Sequence, residues 1–266
     1  MEVQPIVCSD LNPISSLQPA GWPDILPYYE HYTKAAFCFP IKVILDNKIV
    51  GIGTTIIHND TAWLGHIIVH PDYRGKGIGR YITETLVTIA KQRECGTIYL
   101  IATDLGAPVY EKAGFSTETD YLFFKDIQLV NESPVPDKIV GYREEFRNQI
   151  STIDRANSGE ERMFRLENHL QNGFVYCEDY GVEGFYLPTL GDGLIIANTP
   201  AAGLELMKLH LKSNGKLALP RDNSSAINFL YSHGFKEIRT AKRMRLGKPR
   251  IVNLANIYNR IAGNIG

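Results

Sequence analysis

A chain of 266 residues can bury a sizeable core, and its length leads us to expect two domains. Hydrophobic residues at 44% and charged ones at 21% describe an ordinary globular protein, and a net charge of -1 gives no reason to expect nucleic acid or an anionic membrane as partner. Four scattered cysteines (Cys8, Cys38, Cys95, Cys177) with no Cys-x-x-Cys pair read as reduced thiols, the opening M-E-V-Q-P-I-V-C-S-D is no signal peptide, and no apolar run is long enough to span a bilayer, so a cytoplasmic location is expected.

Taken in order, Val3 to Cys8 is expected as a first strand. A loop rich in Pro and Ser over 12–27 leads to a helix running to about Ala35. Lys42 to Leu45 and Ile49 to His58 flank the turn Asp46-Asn47-Lys48 as a hairpin. After the turn at Asn59-Asp60, Thr61 to Val69 forms the next strand, which Pro71 stops because it has no N–H for a ladder bond. Ile78, Ile82, Leu86 and Ile89 recur at helical spacing. Gly96 ends that helix, Thr97 to Ala102 is a strand, and a short helix over Pro108 to Ala113 closes on Gly114 as its left-handed cap. Phe115 and then Tyr121 to Leu129 begin and complete the last strands of this half.

Between the strand and the long helix lies H-P-D-Y-R-G-K-G-I-G-R. Gly75, Gly77 and Gly79 leave backbone N–H groups uncovered where a helix begins, and Arg74 and Arg80 add cations, a combination that suits a phosphate. It is not a P-loop, because Gly77 follows Lys76 where Ser or Thr is required. It is not the dinucleotide fingerprint either, because Arg80 stands where the third glycine belongs. Arg74 to Gly79 does fit Arg/Gln-x-x-Gly-x-Gly/Ala, and strand, arc and helix together resemble the acetyl-CoA-binding motif of GNAT N-acetyltransferases. The resemblance implies the mixed α/β sheet of the GNAT fold, with acetyl-CoA as acetyl donor, no metal, and a primary amine attacking directly in a ternary complex. It places Ile67, Ile68, Val69, Arg74, Gly75, Lys76, Gly77, Ile78, Gly79 and Arg80 against the cofactor. A glycine-rich turn without ligand is the plain alternative.

Ala102 to Phe115 resembles the family's helix along the pantetheine and acetyl end. Tyr110 then takes the position of the general acid toward the departing thiolate, against the alternative of a core aromatic. The amine also has to lose a proton, and Trp63 and Gly65 on the strand face expected to look into the site cannot take it. His66 has the opposite parity unless a bulge, common in this strand of the family, turns it; His70 sits at the strand end. The base stays unassigned. Trp22, Tyr28, Tyr29 and Tyr32 read first as core and second as an aromatic acceptor pocket.

N-E-S-P-V-P-D-K over 131–138 reads as a linker, which divides the chain into an acetyl-CoA-binding domain (1–130), a linker (131–139) and a second, smaller domain (140–266). Leu217 to Phe235 repeats the strand, helix and Gly-Phe ending of Ile98 to Phe115, with Leu230 in the place of Tyr110. The counterpart of the arc, Leu194 to Leu211, carries Thr199-Pro200 as a helix cap and no glycine arc. The second half therefore resembles the degenerate domain of tandem GNAT proteins, shaping the acceptor site. In D-R-A-N-S-G-E-E-R, Ser158 with Glu161 reads as a capping box, while the family resemblance suggests Asp154 and Arg162 as an acceptor-site pair. The tail from Ile251 is expected to dock on the second domain. The partner expected is a small-molecule amine, and the protein a monomer or homodimer. A catalytically silent acetyl-CoA-binding regulator and a ligand-free pair of domains are the other classes.

Overall fold

The computed structural model describes residues 1–129, 134–179 and 181–265. The chain divides into two compact units: Met1–Ser116 with Met244–Pro249 and Gly263–Ile265 form the first, and Thr117–Arg243 with Arg250–Ala262 the second.

Unit 1 runs β1 (Glu2–Pro5), α1 (Leu11–Ile14), α2 (Leu26–Lys34), β2 (Cys38–Leu45), β3 (Lys48–His58), β4 (Thr61–Val69), α3 (Ile78–Gln92), β5 (Thr97–Ala102) and α4 (Ala107–Lys112). The strands stand in the order β1-β2-β3-β4-β5, antiparallel except for the parallel pair β4–β5. Asp46 and Asn47, at φ +50 and +59, make the two-residue turn that sets the β2–β3 register at Leu45 opposite Lys48. α3 buries Ile78, Ile82, Leu86 and Ala90 along one stripe. It lies close on β3 because β3 offers glycines there. A Cβ on Gly51 would stand 2.7 Å from Ile82 Cδ1, and one on Gly53 2.9 Å from Leu86 Cδ1. Each such aliphatic side chain, fully buried, is worth about 1.5–3 kcal/mol, so a side chain at Gly53 would cost packing that α3 depends on. Met244 and Leu246 return late in the chain to complete this core, with Lys248 N–H donating to Gly96 O at 3.0 Å.

Unit 2 comprises β6 (Ser116–Phe124, from Thr117 on), β7 (Ile139–Gly141), α5 (Arg147–Ser158), α6 (Met163–Leu166), β8 (Phe174–Glu178), β9 (Gly181–Leu187), β10 (Leu194–Ala197), α7 (Pro200–Leu211), β11 (Leu217–Pro220), α8 (Ser224–Ser232), the first half of β12 (Arg239–Gly247) and β13 (Ile257–Asn259). Five strands form an antiparallel sheet ordered β13-β10-β9-β8-β7, and β11 pairs with β6. Thr199 and Asn223 cap α7 and α8 by accepting from the N–H groups of Ala202 and Ala226. Leu206, Met207, Leu219, Leu230 and Tyr258 belong to its core.

Several expectations shift. The first strand stops at Pro5, because Val7 N–H donates to the Asp10 carboxylate at 2.8 Å and turns the chain while Asp10 pairs with buried Lys42 at 2.5 Å. The strands expected around Phe115 and Tyr121 are one strand, β6. Ser158 does not open a helix: it ends α5, and Gly159 at φ +71 is the left-handed cap that stops it. The tail divides, with 250–262 in unit 2 and Gly263–Ile265 in unit 1. The linker expected over 131–139 falls at 131–133 outside the described residues, and the packing units change at Ser116 instead, since Leu122 and Phe124 of β6 join the core of unit 2.

Candidate functional site

The site is built on the end of β4. Ile52 pairs with Ile68 and Thr54 with Gly65, so His66 and Ile67 together face the single residue Gly53, and His66 takes φ +49. This is a β-bulge, which turns His66 out of strict alternation. Among the described residues β4 pairs with β5 only at Thr61 to Trp63, and no strand pairs with its β5-facing edge from Leu64 to Val69. Ile67 and Val69 pack on the core of unit 1 and Ile68 is buried, which anchors that end of the strand.

The glycine arc follows. Gly75 and Gly77 have φ +74 and +80, and a Cβ on either would meet nothing within 4 Å. Gly77 is the N-terminal cap of α3. The backbone N–H groups from Gly75 to Arg80 make no hydrogen bond to a described residue. Arg74, an exposed residue next to this row in the chain, is anchored by its Nε donating to Val69 O at 3.2 Å, and Nε is not one of its two terminal nitrogens. Arg80 instead pairs with Glu84 at 2.7 Å, and Lys76 lies over the Tyr73 ring. Free amides, a helix N-terminus and an arginine fit the pyrophosphate of acetyl-CoA.

Tyr110 is half-buried on α4, packed on Gly106 and edge-on to Phe115, and its hydroxyl makes no hydrogen bond to a described residue. Burial pushes its phenol up to about 12. Against a thiol near ~8.5, full proton transfer is then uphill by roughly 5 kcal/mol, so Tyr110 is suited to hydrogen-bond a developing thiolate rather than to ionise for it.

His66 stands among aromatic rings. Tyr29 and Tyr32 are buried core residues, whereas Trp22 and Tyr28 remain 42% and 36% exposed, with ring centroids 6.2 and 4.8 Å from that of His66. Tyr29 Oη donates to His66 O at 3.0 Å, and Tyr32 Oη lies 2.8 Å from His66 Nδ1. Burial holds the imidazole down at about 4, so it is neutral near pH 7. The strand parity alone hid this residue, and the bulge reveals it. Asn264, whose Nδ2 donates to Tyr32 Oη at 2.5 Å, carried no sequence signal at all.

The model of the acetyltransferase (GNAT) family matches residues 9–115, the stretch that holds bulge, arc and Tyr110. This stretch is a GNAT acetyltransferase domain. A crystal structure from Pyrococcus horikoshii, provisionally named an acetyltransferase, covers 100% of this chain and 95% of its own at TM-score 0.84 and 21% identity. A tandem GNAT protein from the clavulanic acid biosynthesis pathway covers 93% and 99% at TM-score 0.59 and 15% identity. At these identities the likeness is one of fold. The [ribosomal protein bS18]-alanine N-acetyltransferase of Escherichia coli K12 is 27% identical over 41% of this chain and 84% of its own length. Other curated N-acetyltransferases are matched over only 30% to 44% of their own length.

In unit 2, Arg162 holds Asp154 through Nε and Nη2 and Glu160 through Nη1, all three side chains being at most 3% exposed. Burial alone would lower the arginine's pKa, and the Asp154 and Glu160 carboxylates more than reverse that, keeping it charged. The cluster offers little surface to a ligand. Among the described residues no group of three or more His, Cys, Asp or Glu comes together as metal ligands, and no helix is long and apolar enough to cross a membrane.

Proposed function

We propose that this protein transfers the acetyl group of acetyl-CoA to a primary amine of a small molecule, by direct attack with both ligands bound. The observation that carries the reading is the row of unpartnered amides from Gly75 to Arg80, flanked by the anchored guanidinium of Arg74. Acetyl-CoA, when bound, supplies the activated thioester. Arg74 and the amides of Gly75, Lys76, Gly77, Ile78, Gly79 and Arg80 would hold its pyrophosphate, and the open edge of β4 at Ile67, Ile68 and Val69 its pantetheine arm. Tyr110 would donate a hydrogen bond to the leaving sulfur.

The acceptor amine is expected at the rim formed by Trp22 and Tyr28, whose exposed faces attract a cation. A His66 held at about 4 is too weak a base for a resting alkylammonium. Deprotonating an alkylamine of pKa ~10.4 at pH 7 costs about 4.6 kcal/mol, against about 1 kcal/mol for an α-amine of pKa ~7.7 to 8.0. This favours amino-acid-like acceptors, and the likeness to an enzyme named for ribosomal-protein alanine supports an α-amine as well, on a peptide in the second reading. Unit 2 is, in this proposal, a degenerate GNAT-like domain, because Thr199-Pro200 starts α7 without a glycine arc. A role for Asp154 and Arg162 in acceptor binding belongs to the same proposal, as does the cytoplasmic location. A panel of small α-amines, alkylamines and short peptides scored by coenzyme A release tests it. Acetyl-CoA binding without release of thiol from any amine would leave the silent regulator.

A further inference from the structure

The chain Asn264–Tyr32–His66 joins three segments far apart in sequence and lies wholly within unit 1. Asn264 reaches the strand because Gly65 has no side chain: a Cβ there would stand 2.6 Å from Asn264 Cβ. Asn264 Nδ2 donates to Tyr32 Oη at 2.5 Å and so occupies one of the two lone pairs of that hydroxyl. Accepting a hydrogen bond polarises the O–H and makes it the stronger donor, and its neighbour is His66 Nδ1 at 2.8 Å. The opposite arrangement, Nδ1–H donating to Oη, would aim two donors at one hydroxyl and lose that cooperation. A neutral imidazole carries a single N–H, so a Nδ1 that accepts leaves the proton on Nε2. Nε2 makes no hydrogen bond to a described residue, and the half-buried ring neighbours the partly exposed Trp22 and Tyr28 at centroid distances of 6.2 and 4.8 Å.

We propose that His66 serves the site as a hydrogen-bond donor through Nε2–H, received by a carbonyl-type oxygen of a bound ligand, and that Tyr32 and Asn264 are positioning residues that fix this tautomer. The inference rests on the acetyltransferase reading for what the ligand is, and on geometry alone for the tautomer. Two ligands can present such an oxygen, the acetyl thioester and the acceptor. In this scheme no proton leaves His66. It is a fixed dipole offered to that oxygen, which differs from a general base that takes up the proton of the amine.

The test is made on the full chain with 15N-labelled histidine at pH 7, reading two-bond proton–nitrogen correlations, with His66 assigned by the signals lost in His66→Gln. The expected spectrum has Nε2 protonated and Nδ1 bare, and in both Tyr32→Phe and Asn264→Ala the two tautomers mix. A shift of the Nε2–H signal on adding acetyl-CoA assigns the oxygen to the thioester, and a shift only on adding an amino-acid acceptor assigns it to the acceptor. Turnover of Asn264→Ala should fall roughly threefold to tenfold, the loss of about one hydrogen bond, with KM for acetyl-CoA changed less than twofold. Nδ1–H in the unmodified protein, or a tautomer untouched in both variants, overturns the proposal. So does a Nε2–H signal that neither ligand moves. Should no amine be acetylated while the tautomer behaves as stated, the acetyltransferase reading fails and the Asn264–Tyr32–His66 chain stands. Because Tyr32 is buried, Asn264→Ala decides the matter if the Tyr32 variant does not fold.

Discussion

Tyr29 Oη donates to the carbonyl oxygen of His66 at 3.0 Å, and so a helix residue pins the one position where β4 leaves regular strand geometry. The backbone of His66 is in the left-handed region, which a β-strand does not itself stabilise. Tyr29 is fully buried, so its hydroxyl has no water to turn to. Tyr29→Phe should therefore destabilise unit 1 by about 1–2 kcal/mol, measured by denaturant unfolding. No loss would mean that the bulge is held by β3 and α2 packing alone.

The imidazole of His66 predicts an acid-side weakness. Its folded pKa of about 4 lies below the ordinary 6.5, so in that interval the unfolded chain binds the proton more readily. The contribution to stability is present in full above pH 6.5 and is lost as pH falls toward 4, by up to roughly 3 kcal/mol. His169 and His210 of unit 2 are lowered by burial too, so the comparison needed is between the protein and His66→Gln. Melting temperature against pH should fall less steeply in the variant between pH 6.5 and 4, and equal slopes would contradict the buried, neutral ring.

Tyr110 sits on α4 with a free hydroxyl and a packed ring, which separates its two possible duties. Tyr110→Phe keeps the packing on Gly106 and removes the donor. Turnover should fall at least tenfold, about 1.4 kcal/mol of barrier, with acetyl-CoA affinity changed less than twofold. Equal losses in both would make Tyr110 a packing residue.

Arg162 tests whether the buried ion cluster of unit 2 is structural. Arg162→Ala removes the cation that the buried carboxylates of Asp154 and Glu160, with exposures of 3% and 1%, both pair with, and should cost about 3–5 kcal/mol of stability. Calorimetric melting reads it. A variant of unchanged stability but raised KM for the acceptor would instead give Asp154 and Arg162 the acceptor-binding role.

The sequence carried β3, β4, α3, β5 and α4 almost residue by residue, because β-branched runs, glycine stops and the spacing of Ile78, Ile82 and Leu86 are local signals. The arc was equally legible, since three glycines and Arg74 are contiguous. What stayed hidden is non-local. The bulge at His66 depends on the β3 register, the packing division at Ser116 depends on which core Leu122 and Phe124 enter, and Asn264 reaches Tyr32 across 232 residues of chain. Trp22 and Tyr28 differ from Tyr29 and Tyr32 only in exposure, which composition cannot distinguish.

The central claim is that the amides from Gly75 to Arg80, with Arg74, receive the pyrophosphate of acetyl-CoA. Isothermal titration of the full chain with acetyl-CoA, repeated with Arg74→Ala, tests it most directly. The account predicts saturable binding at one site, weakened roughly tenfold in Arg74→Ala, about 1.4 kcal/mol, and weakened further by added salt. No heat of binding and no thermal shift with the unmodified protein would contradict it.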